Sequence, residues 1–69
     1  MDIEKQLGMN VAQLRKAKGW SQEELGFQSD LHRTYISDIE RGRRNPTVAV
    51  VSELARALGV SEARLLSRK

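Results

Sequence analysis

Residues 21–42 read SQEELGFQSDLHRTYISDIERG, and the punctuation of this stretch decides the fold. Ser21 followed by Glu24 makes a capping box, and Trp20 with Leu25 makes the hydrophobic staple that sets a helix entry angle. A short helix therefore starts here and ends near Gln28 or Ser29. Ser29-Asp30-Leu31 reads as a tight turn, with Asp30 where a left-handed residue is expected; Asp is among the few non-glycine types that tolerate it. Leu31 is placed to plug the space between two helices. His32 caps the second helix, which runs to Arg41 before Gly42 supplies the left-handed stop. In that helix Ile36 and Ile39 share one face and form a core stripe. At about 100° per residue, Thr34, Ser37, Asp38 and Arg41 fall on the far side, with Arg33 at the start. One face is built for burial, and the other offers polar groups outward.

Working outward, Ile3, Leu7, Val11 and Leu14 form an apolar stripe on a helix from about Asp2 to Lys18. Asp2 and Glu4 open it and Arg15, Lys16 and Lys18 close it, matching the helix dipole at both ends. Gly19 follows as its stop. After Gly42 comes a basic loop, Arg43-Arg44-Asn45-Pro46, in which Pro46 forbids helix and Thr47 can cap the next one. Val51, Leu54, Ala55 and Leu58 mark the buried face of that fourth helix. Ser61 caps a short fifth helix carrying Leu65 and Leu66. Gly26 costs about 1 kcal/mol of helix propensity against alanine. A neighbouring helix too close for a side chain would explain it; drift at an exposed position is the alternative. The expected fold is all-α: a compact five-helix domain over residues 1–69, without strands, repeats or linkers.

Sixty-nine residues make one domain at most, and one that buries only about 60% of its unfolded surface. Hydrophobic content of 39% with one Trp, one Tyr and one Phe leaves a thin aliphatic core. With no cysteine, neither a disulfide nor a thiolate metal site can brace it, and the single His32 cannot build a metal site alone. No metal and no cofactor are expected. No apolar run approaches the roughly 20 residues that span a bilayer. The N-terminus lacks the basic and apolar regions of a secretory signal, so a soluble cytoplasmic protein is expected.

Net charge is +3, but its distribution says more. Arg33, Arg41, Arg43 and Arg44 lie in or just after the third helix. A clustered basic surface favours a polyanion such as nucleic acid, with a solvated charged face as the alternative. Two short helices joined by a tight turn, the second with a polar outer face, is the helix-turn-helix plan. On that plan the second helix enters the major groove of double-stranded DNA with its N-terminal residues at base edges. Arg33 is then the foremost base reader, since a guanidinium can bond guanine O6 and N7 together. Thr34 can meet a thymine methyl or a phosphate, and Ser37 and Asp38 sit a turn further on. Asp38 can accept a bond from a cytosine amine or can orient a neighbouring Arg.

Gln22 lies in the first turn of the helix that starts after Ser21, where backbone N–H groups and the dipole favour a phosphate. Arg43, Arg44 and Asn45 would clamp the backbone beyond the recognition helix, positioning without reading sequence. Arg41 and Lys18 are either further contacts or solvated cations. Glu40 flanks the isoleucine stripe and points inward, toward Arg15; this pair is assigned a structural role.

Leu14 through Gly19, Ser21-Gln22-Glu23-Glu24-Leu25, then Ile36, Glu40, Gly42 and Ala57-Leu58-Gly59-Val60 resemble the lambda-repressor-like, Cro-type domains of the xenobiotic-response-element family. The likeness covers roughly residues 7–66. Leu31 to Ser37, Glu40-Arg41-Gly42 and Arg44-Asn45-Pro46 look most like controller proteins of restriction–modification systems. The resemblance implies a five-helix domain binding DNA as a symmetric dimer, with the helix-turn-helix at about 22–41 and dimerisation helices at about 47–67. It implies Gln22 on phosphate, His32, Arg33, Thr34 and Ser37 toward bases, and Arg43 on the backbone. Tyr35 stands where members touch the sugar–phosphate chain; packing against the second helix is the alternative. Asp30 replaces the commoner glycine. No ligand-binding or cleavage domain is expected beyond the fifth helix.

Dimerisation is physically sensible, because two half-sites about 34 Å apart give the length a unique site needs. Val50, Leu65 and Leu66 are the interface candidates, with Leu65 or Leu66 completing the monomer core as the alternative. The leading expectation is a transcriptional regulator acting by occupancy, as a repressor or as an activator that offers a patch to RNA polymerase. An antitoxin-like protein-interaction module is the alternative; it would need a large exposed apolar patch, and none is evident in the sequence. An enzyme is not expected: there is no nucleophile constellation, no paired carboxylates on one face and no phosphate-cradling glycine loop.

Overall fold

A side-chain cap starts every helix. In the computed structural model, which describes residues 2–68, Asp2 Oδ1 accepts the Glu4 N–H at 3.0 Å and opens α1, Ile3–Ala17. Ser21, His32, Thr47 and Ser61 do the same for α2 (Gln22–Ser29), α3 (Arg33–Glu40), α4 (Val48–Leu58) and α5 (Glu62–Leu65), at 3.0 to 3.2 Å. The described residues are thus all-α, five helices without a strand. Half of the expected capping box forms. Ser21 Oγ takes the Glu24 N–H, but the Glu24 carboxylate accepts the Gln28 amide at 2.7 Å instead of reaching back.

The helix stops share one geometry. Asp30 is left-handed at φ 61°, and the N–H of Leu31 beyond it donates back to the Gly26 carbonyl at 2.8 Å. Gly42 is left-handed at φ 73°, and the Arg43 N–H donates back to the Asp38 carbonyl at 2.9 Å. That second closure turns the basic loop back over α3.

Leu7, Val11, Leu25, Ile36, Ile39, Val51, Leu54, Ala55, Leu58 and Leu65 form a single core. Its members come from all five helices, with α1 packed on α3, α2 on α3 and α4, and α5 on α4. Ile3, expected on the α1 stripe, is 39% exposed. A polar pair not foreseen takes its place on the buried side. The Gln6 amide donates to Asn10 Oδ1 at 3.1 Å, and Asn10 Nδ2 donates to the carbonyls of Leu65 and Ser67 at 2.8 and 2.7 Å. Asn10 is 2% exposed and ties α1 to the backbone at the end of α5 and just beyond it. Asn10→Leu keeps the shape, removes both bonds and takes the donor from the buried Leu65 carbonyl. It is expected to cost about 2–4 kcal/mol in chemical denaturation, from about 1–3 kcal/mol for the unsatisfied buried carbonyl and about 1 kcal/mol for the other bond lost.

Candidate nucleic-acid interface

The turn between α2 and α3 is held tight by a missing side chain. A Cβ on Gly26 would lie 2.5 Å from the Leu31 carbonyl oxygen and 3.3 Å from the Arg33 nitrogen. The close neighbours of Gly26 are therefore the turn and the first residue of α3, so the helix that follows does come too near for a side chain here. Ser29 is fully buried beside it and bonds its Oγ to the Leu25 carbonyl at 2.7 Å.

With that angle set, Ile36 and Ile39 go into the core at 0% and 1% exposure. Arg33 and Thr34 are exposed on the opposite side, and Ser37 and Asp38 are half-buried there. Gln22, Arg33, Thr34 and Ser37 line one shallow recess, so the N-termini of α2 and α3 present a common surface. His32 is exposed, and its Nδ1 accepts the Thr34 N–H at 3.0 Å. Its ring proton therefore sits on Nε2, which remains as a donor.

Behind this surface stands a buried ionic clamp. Arg15 Nε and Nη2 donate to the two Glu40 carboxylate oxygens at 2.7 and 3.0 Å, and Arg15 Nη1 donates to the Trp20 carbonyl at 2.8 Å. Hydrogen bonding to Glu40 holds the Arg15 guanidinium above its ordinary pKa, against the opposing effect of burial. Gln22 joins the clamp, its Nε2 donating to Glu40 at 3.0 Å. One hydrogen of the Gln22 amide is thus turned inward and ties α2 to α3.

Arg41 and Arg43 are exposed and, with Arg33, have no acidic partner within ion-pair distance among the described residues. Arg44 is different. It folds back over α3 with Nε 3.5 Å from Asp38 and its guanidinium 4.7 Å from the centre of the Tyr35 ring. Asp38 thus orients an arginine within the molecule, and Tyr35 is half-buried against the core beneath it. Asn45 is exposed in the same loop. Lys18 lies over the Trp20 ring at 4.9 Å.

Of the three apolar residues expected at a subunit contact, Leu65 is fully buried and belongs to the monomer core, because α5 turns it toward α4. Val50 is half-buried against the core, and Leu66 remains 41% exposed. The structure adds neighbours that the sequence reading missed. Val48 is 83% exposed, and with Ile3, Leu7, Pro46, Val51 and Leu66 it lines an apolar cleft of about 210 Å³. Only the burial of the stripe's other members distinguishes Ile3, so no local signal marks it. Among the described residues no cluster of His, Cys, Asp or Glu is arranged to hold a metal, and no helix is long and apolar enough to cross a membrane.

The helix-turn-helix family profile matches residues 11–65, and these include the whole surface just described apart from its flanks. The chain belongs to the helix-turn-helix family of transcriptional regulators. It is 52% identical over 60 residues to the control protein C.BamHI of Bacillus amyloliquefaciens, covering 86% of this chain and 74% of that one. A hypothetical transcription factor of Neisseria superposes with a TM-score of 0.92 at 44% identity, over 96% of this chain and 76% of that one. The restriction–modification controller C.Esp1396I, as a tetramer in complex with its natural 35-base-pair operator, superposes with a TM-score of 0.85 at 34% identity. That match covers 94% of this chain and 86% of the controller. The resemblance to controller proteins found in the motifs thus extends to the fold of this helix-turn-helix regulator.

Proposed function

We propose that this helix-turn-helix protein is a sequence-specific double-stranded DNA-binding regulator of the controller type, acting as a homodimer on a pseudo-palindromic operator. The observation that carries it is α3, a helix whose isoleucines face the core and whose Arg33, Thr34 and Ser37 face out beside Gln22. Arg33 reads a base, with His32 and Thr34 beside it. Arg41, Arg43 and Asn45 contact the sugar–phosphate chain.

The second copy docks through residues 47–67 and the start of α1, where Ile3, Val48 and Leu66 leave apolar surface in water around the cleft. Such a patch on so small a domain favours association. Regulation follows from occupancy, either by covering a promoter or by presenting a surface to RNA polymerase, and places the protein in the cytoplasm with the DNA. No catalytic step is required.

Selection of duplexes from a random pool tests the proposal and returns the motif, its symmetry and its half-site spacing. On the selected duplex, Arg33→Ala is expected to cost about 1–3 kcal/mol and to relax discrimination at one base position. Arg43→Ala is expected to weaken all duplexes alike and to reduce the salt slope by about one contact. Unchanged base preference in Arg33→Ala removes Arg33 from the readers, and altered preference in Arg43→Ala contradicts its assignment to the backbone.

A further inference from the structure

Asp38 is the one carboxylate on the outward face of α3, where a negative charge opposes a polyanion. The structure gives it two ties to the loop that follows. Its backbone carbonyl accepts the Arg43 N–H at 2.9 Å, and its carboxylate holds Arg44 at 3.5 Å while that guanidinium lies on Tyr35. Among the arginines of this surface, Arg33, Arg41 and Arg43 have no such partner among the described residues, so Arg44 alone has its charge answered within the molecule. The Asp38 side chain keeps 29% of its surface exposed and the Arg44 side chain 52%, so the pair is accessible to a ligand and can be exchanged.

Resting on the DNA-binding reading, we infer that Asp38 is a specificity-determining residue that competes with phosphate for Arg44. On an unrelated duplex the pair stays closed. Arg44 then neutralises no phosphate and releases no counterion, so non-specific affinity is lower by about one contact. On the operator, α3 seats with Asp38 against base edges. Arg44 can pass to a phosphate only if Asp38 gains another donor, because a desolvated carboxylate without a partner is costly. The donors available in the major groove are the exocyclic amines of cytosine and adenine. A backbone contact thereby becomes conditional on a base, and a site lacking that amine forfeits both.

The test compares the full chain with Asp38→Asn, Arg44→Gln and the double variant, on the selected duplex and on an unrelated one, across salt concentrations. Thermal melts confirm that each variant is folded. Asp38→Asn is expected to tighten the unrelated duplex several-fold and to steepen its salt slope by about one, shrinking discrimination by the same factor. Arg44→Gln is expected to lose several-fold affinity, with the loss falling on the selected duplex. In the Arg44→Gln background, the Asp38→Asn gain on unrelated DNA disappears. The inference is overturned if Asp38→Asn tightens both duplexes equally with or without Arg44, since the carboxylate is then only a repelling charge. It is also overturned if Arg44→Gln weakens both duplexes equally, which describes an ordinary clamp. Failure of the unaltered chain to bind either duplex would instead remove the DNA-binding reading itself.

Discussion

Glu40→Ala is expected to lower folding stability by about 3–5 kcal/mol, the range for stripping one partner from a buried pair. The Arg15 and Glu40 side chains are only 11% and 7% exposed, so the arginine left behind has little water to turn to. It would keep its bond to the Trp20 carbonyl and lose both bonds to the carboxylate, and the Gln22 amide would lose its acceptor as well. Against a total of roughly 5–15 kcal/mol for a natural domain, this leaves the chain near unfolding. Urea denaturation measures it. Replacing both members together, as Arg15→Met with Glu40→Leu, is expected to recover much of the loss, because the cost lies in the unpaired charge more than in a missing attraction. A loss below about 1 kcal/mol for Glu40→Ala would mean that the pair behaves like a solvated surface bridge.

Gly8→Ala is expected to destabilise by about 2–3 kcal/mol, opposite in sign to the gain of about 1 kcal/mol that alanine brings to a helix interior. The reason is the approach of α1 to α3. A Cβ at Gly8 would collide with the Ile39 carbonyl oxygen and stand 2.7 Å from that of Glu40. Both obstacles are backbone, so the helices must separate. A drop of about 10 °C or more in melting temperature is expected for a domain of this size. Since α3 is what moves, DNA affinity should fall too, in variants that remain folded. A melting temperature equal to or above that of the unaltered chain would show that α1 and α3 lie further apart than described.

These two residues show where sequence reading succeeds and where it stops. The helix ends are legible because their signals are local: a capping side chain followed by free N–H groups, or a residue that accepts positive φ, as at Ser21, Asp30 and Gly42. The polar and apolar faces of α3 follow from helical periodicity alone. The pairing of Arg15 with Glu40 is legible because a charge beside an apolar stripe needs a partner. Gly8 and Asn10 are not legible in that way. Their roles depend on the carbonyls of residues 31 to 57 positions away, and spacing along α1 carries no information about those. The same applies to Leu65 and Leu66, adjacent in sequence and on opposite sides of the protein surface. Only the docking angle of α5 decides that the first is core and the second exposed.

The central claim is that α3 docks in the major groove with Ile36 and Ile39 turned away from the duplex. Backbone amide shifts followed by NMR during titration with a selected duplex test it most directly. The account predicts large changes at Gln22, at residues 33–38 and at residues 43–45, with the outer face of α4 changing little. Large changes confined to α4 and α5, with α3 undisturbed at saturation, would contradict it.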